Sequence, residues 1–142
     1  MTPRTRSSPS MCSTTLLCAL LAVCGCKGAT NMCSNEVVRR VPSPDARQHV
    51  VLFSRSCGAT TSVSTHVALL GDEAEPDQAG NAFIAEPSRD MILEDEKGAI
   101  PIGVRWASAH KVVISYPASS RIFKKEPRIR NVDVEYEAIP ER

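Results

Sequence analysis

Two neighbouring stretches hold the residue types that could do chemistry. The run Cys57-Gly58-Ala59-Thr60-Thr61-Ser62 sets a glycine beside consecutive hydroxyl side chains. Such a loop can turn backbone N–H and side-chain O–H donors toward an anionic group, so Gly58, Thr60, Thr61 and the nearby His66 form a candidate binding loop. The same residues also suit a plain strand connection held by its own Ser/Thr hydrogen bonds. His66 follows Ser64 and Thr61 and precedes Asp72 and Glu73. A base, a hydroxyl and an orienting acid can therefore be drawn as a small hydrolase-type site using Thr60, Thr61 and His66. No Gly-x-Ser-x-Gly elbow accompanies them. The other histidines, His49 and His110, share no i, i+4 spacing with His66, and polar faces of exposed strands are the expected place for all three. No metal site and no cofactor are expected. Residues 72–96 hold nine acids against Arg89, enough to hold a divalent cation weakly, but their spacing is not that of an EF-hand. Residues 105–130 hold seven bases against Glu126. The two charged segments either face each other across a sheet or form two solvated faces.

These groups must be positioned by a small domain behind an export segment. Met1–Ser13 is polar and basic, with Arg4 and Arg6. Thr14–Val23 is an apolar run, and Cys24-Gly25-Cys26 follows. A run of about ten apolar residues is short of the ~20 needed to span a bilayer and fits the core of a secretory signal. Its end resembles a bacterial lipoprotein processing site, with an aliphatic residue and small residues before the cysteine that takes the lipid. That resemblance implies lipidation of Cys26, the alternative being ordinary secretion with cleavage nearby. Because Lys27 and not aspartate follows, it also implies an outer-membrane anchor facing the periplasm. The expected organisation is a signal over 1–26, a tether over 27–35 and one β domain over 36–139. Arg4 and Arg6 leave with the signal, so 15 of the 17 basic residues remain against 16 acids, a net charge of −1. That excludes the basic footprint of a nucleic-acid binder.

The same partition sorts the six cysteines. Cys12, Cys18 and Cys24 leave with the signal and Cys26 takes the lipid. Cys33 and Cys57 remain, too few and too widely spaced for a zinc site. They suit a disulfide in an oxidising compartment, the alternative being two free thiols.

The elements read as strands. Glu36–Val41 and His49–Cys57 flank a turn at Pro44–Arg47, where Pro44 presets the backbone and Asp45 can bond the amides just after it. With that turn Ser43 faces Gln48, and paired residue numbers sum to 91. Cys33 and Cys57 then fall within one position of each other, close enough to join if the backbone bends slightly. In Val63–Leu70, Val63, Thr65, Val67 and Leu69 share one face and Ser64, His66 and Ala68 the other. Gly71–Asn81 is an acidic loop. Ala82–Ala85, Met91–Leu93, Ile100–Trp106, Lys111–Tyr116 and about Ile129–Ala138 follow as short strands. In the last, Val132, Val134 and Tyr136 alternate with acids. Arg121–Arg130 is read as a basic loop, with contact to anionic lipid as its functional alternative. Seven to eight short strands and ten prolines give an all-β fold, an antiparallel meander or small sandwich with one disulfide.

PSPDAR resembles the Ser-Pro-Asp-Gly turn of propeller blades in periplasmic translocation proteins, with Ala46 standing where the blade has glycine, and GVRWASAHKVVISY resembles the strand–turn–strand that follows in such blades. The succession CSNEVVRRVPSPD, SRSCGATTSVSTHVALL, GNAFIA and VRWASAHKVVISY resembles a family of small uncharacterised bacterial envelope proteins. That resemblance implies a β domain and a cysteine pair at Cys33 and Cys57, and no activity. The expectation is a non-catalytic, lipid-anchored envelope protein. Its partners would be the membrane, through the lipid, and an envelope protein or cell-wall component. The alternative is the small secreted hydrolase.

Overall fold

The computed structural model describes residues 32–91 and 99–140. Among them are nine strands: β1 (Ser34–Pro42), β2 (Gln48–Ser56), β3 (Ser64–Gly71), β4 (Phe83–Glu86), β5 (Gly103–Ser108), β6 (Lys111–Pro117), β7 (Arg121–Lys125), β8 (Arg128–Ile129) and β9 (Val132–Ile139). They form a five-stranded sheet, β1-β2-β3-β4-β7, and a four-stranded sheet, β5-β6-β9-β8. The all-β expectation holds, and of its two forms the fold is the sandwich. A meander is ruled out by β6 and β9, which pair in parallel. Parallel neighbours need a crossover, and here the chain leaves β6 to make β7 in the other sheet before returning through β8.

One core joins the sheets. Val50, Leu52, Val67, Leu69, Phe83 and Ala85 from the first sheet cluster with Val112, Ile114, Tyr116, Val132 and Val134 from the second. The period-two patterns place them there: β3 buries Thr65, Val67 and Leu69 on this inner face, and β9 turns Val132, Val134 and Tyr136 inward. Polar bonds also pin the layers. Trp106 Nε1 donates to the Val41 carbonyl at 3.1 Å, Arg39 to that of Ile102 at 3.1 Å, and the Ile100 amide to Thr65 Oγ1 at 2.9 Å.

The first hairpin shows how local chemistry sets register. The Ala46 amide bonds the Ser43 carbonyl, Ser43 Oγ donates to Asp45 Oδ1 at 2.7 Å, and the Arg47 amide donates to the same oxygen. The Ser43 hydroxyl beside Asp45 holds its carboxyl below the usual carboxylate range, with the Arg47 amide helping. From this turn Pro42 pairs with His49 and Arg39 with Leu52, as the sum of 91 requires. At Val38 the strand bulges, and from Val37 onward the register slips by one, so Ser34 pairs with Ser56. A bulge inserts one unpaired residue and bends its strand. The slip sets Cys33 and Cys57 directly opposite, and they are joined by a disulfide.

Two expectations need correction. Arg121–Arg130 is not a loop, because it contains β7, paired with β4, and β8, paired with β9. Its charges obscure the pattern: Arg121 stacks over exposed Phe123, while Lys125 turns inward to donate to Tyr116 Oη at 3.1 Å. Met91 is not in a strand, and the rest of the expected Met91–Leu93 element lies outside the described residues, as do the signal segment and Cys26.

Candidate functional site

The five-stranded sheet has a second, outer face. Along β1 it presents Asn35, Val37 and Arg40; along β2, His49, Val51, Phe53 and Arg55; along β3, Ser64, His66, Ala68 and Leu70. Val51, Phe53 and Ala68 form a small apolar cluster with Val37 and Leu70 against it. Apolar side chains on the far side of a sheet normally mark a covered face.

The acidic loop lies across that face. Leaving β3 at Gly71, it reaches β1, where Glu75 pairs with Arg40 and the Pro76 and Gln78 carbonyls accept bonds from Asn35 Nδ2. It then recrosses to β3, where the Gly80 amide donates to His66 Nδ1 at 2.9 Å. Asn81 finishes the crossing by bonding both the amide and the carbonyl of Leu69. A Cβ on Gly80 would lie 2.7 Å from the Val67 carbonyl oxygen and 2.9 Å from that of Phe83, so only glycine lets the loop come this close. The loop is thus a strap with side-chain posts on β1 and β3. Nothing in its composition marks it as one. The Gly80-Asn81 pair just before a strand is the only local sign, and it reads equally well as a turn.

This strap corrects the expectation that the histidines sit on exposed strands. His49 and His66 are 7% and 4% exposed, because the face they share is covered. His49 Nε2 lies 3.2 Å from Arg40 Nη1, whose N–H it accepts. His110 is exposed beside Asn131.

His66 sits at the centre of the outer face. Its Nδ1 accepts from Gly80, so the proton of the neutral ring is on Nε2, which lies 2.8 Å from Ser64 Oγ and must donate to it. Ser64 Oγ in turn lies 3.4 Å from the Arg55 carbonyl. A general base would have to accept the serine proton at Nε2. The bond here runs the other way. Burial, then the charges of Arg55 and Lys124, push the His66 pKa down from 6.5 to about 4, which keeps the ring neutral. The Phe53 ring packs 5.3 Å from it.

The hydroxyl loop stands apart from this network in its bonding. Thr60 and Thr61 are exposed, and both the amide and the Oγ1 of Thr61 donate to the Gly58 carbonyl. Gly58 has φ of 127°, a conformation that favours glycine. The loop closes on itself beside the Cys33–Cys57 bridge. Members of the two charged segments pair with residues outside them: Glu75 with Arg40, and Arg105, Lys111 and Arg128 with Glu137, Glu135 and Asp133 of β9. Arg121 lies 3.8 Å from Glu86, a pair between the two segments. Among the described residues no three His, Cys, Asp or Glu side chains converge as a metal site would need. Tyr136 Oη lies 2.8 Å from the carbonyls of Ala82 and Glu126, and burial raises its pKa.

Comparison with protein-family models, curated proteins and solved structures returned no match.

Proposed function

We propose that the chain is an exported, non-catalytic binding or structural protein of the cell envelope, tethered to a membrane by lipid on Cys26. The observation that carries this reading is the order of the cysteines. A signal-like segment ends at Cys26, a short link follows, and Cys33 begins the folded domain in a disulfide with Cys57. Such a bridge persists in oxidising compartments and is rare in the cytosol. The link of a few residues would hold the sandwich close to the anchoring surface, where an envelope protein or wall component would be its partner. The hydrolase alternative gains no support from His66, whose Nε2 donates to Ser64 rather than accepting from it.

The test is metabolic labelling of the full chain with a palmitate analogue, beside a Cys26→Ala variant. Wild type is expected to take up label and partition with membranes, and the variant to lose both. Label that survives Cys26→Ala would overturn the assignment of the lipid to this residue. A wild type that is unlabelled would overturn the anchor itself.

A further inference from the structure

The outer face is closed by contacts that a proton can undo. His66 holds the strap by accepting the Gly80 N–H at Nδ1. A protonated imidazole carries N–H on both nitrogens and has no acceptor left. The Gly80 donor would then meet a second donor, inside a face where an unpaired polar group is costly. The charged groups facing His66 are Arg55 from β2 and Lys124 from β7. Lys124 Nζ also lies 3.5 Å from the Gly80 carbonyl, on the strap itself. An imidazolium would add a third positive charge to this group. At the other end of the strap, Arg40 is held by Glu75 and by the acceptor nitrogen of His49. Beneath lie Val51, Phe53 and Ala68, each no more than 3% exposed.

We propose that residues 71–81 are an acid-released strap: protonation of His66 unfastens Gly80, and the strap lifts from Val51, Phe53 and Ala68 while the disulfide-braced sandwich beneath stays folded. The sign follows from the direction of the shift. The closed state holds the ring neutral and the open state frees it toward its ordinary value of 6.5. The strap is fully fastened above that value, loosens as pH falls from 6.5 toward about 4, and gains no further drive from His66 below that. This device does not depend on the lipid anchor.

The experiment is amide hydrogen exchange on the full chain across that pH window, corrected for intrinsic exchange rates, for wild type and His66→Asn. The asparagine keeps an acceptor for Gly80 and does not titrate. In wild type, protection of the 72–80 amides should fall about tenfold per pH unit, the slope of one proton, while the β2 amides keep theirs. His66→Asn should flatten that slope. An unchanged slope in the variant, or equal loss of protection in β2, overturns the proposal. If the variant does not fold, ring ¹⁵N shifts of His66 in wild type decide. Protonation in step with Gly80 exchange supports the latch, and strap opening around a neutral ring refutes it.

Discussion

Both faces of the five-stranded sheet hold fully buried side chains, kept dry by different means. Phe83 on the inner face and Phe53 on the outer are both fully buried. Phe83 is enclosed by a second sheet, with Tyr116 and Tyr136 rings 5.1 and 5.9 Å away. Phe53 lies under a strap fastened by a few bonds to Arg40, Asn35, His66 and Leu69. Burial alone does not tell them apart. What differs is the unit that must move to expose each: the whole sandwich for Phe83, one loop for Phe53. Regions held by few bonds open at lower free energy than the global unfolding that exposes a core.

The sharpest way to break this comparison is to empty both sites. Phe83→Ala should cost about 3–5 kcal/mol, because two packed sheets relax only partly around a cavity. Phe53→Ala should cost less, at or below about 3 kcal/mol, because the strap can settle into the space. Urea denaturation of both variants measures the difference. Equal costs would mean that the strap is as integral as the second sheet.

The disulfide sharpens the comparison from the edge. It ties the outer end of β1, the strand that carries the strap's posts Asn35 and Arg40. Replacing Cys33 and Cys57 together by serine frees a loop of sequence separation 24 and should lower global stability by about 3 kcal/mol on chain entropy. The loss should show in denaturant midpoint, with the strap amides losing more protection than the β6 amides. Loss confined to β6 and β9 would contradict the placement of the posts.

Much of this was legible in the residues and some was not, for physical reasons. Alternation in β3 and β9 separates inward from outward positions because the strand period is two. The turn at Pro44–Arg47 gives the hairpin register, and the need for a slight bend before Cys33 can meet Cys57 is met by the bulge at Val38. The site was harder. Alternation places His66 off the core face but cannot say whether that face is wet. The cover is a long-range crossing by a polar segment whose bonds run from backbone groups of Pro76, Gln78 and Gly80. Backbone groups leave no trace in residue type. β7 escaped notice because an extra residue at Phe123, between Ile122 opposite Ala85 and Lys124 opposite Ile84, breaks its own alternation.

The smallest expected effect serves as the control for the other two. Ala46 has φ of 57°, left-handed backbone in which a Cβ crowds the neighbouring carbonyl. Glycine would relieve that, while the more flexible unfolded chain takes back part of the gain. The net expectation for Ala46→Gly is a gain of about 0.5–1 kcal/mol in urea denaturation. The turn precedes β2, which both faces share, so the gain should appear equally in resistance to global unfolding whichever face is probed. It should leave strap opening unchanged, since opening is measured against a sandwich that stays folded in both states. A change in strap protection with Ala46→Gly would show that the outer face opens only by partial unfolding of the hairpin, and the distinction between the two faces would then collapse into one cooperative unit.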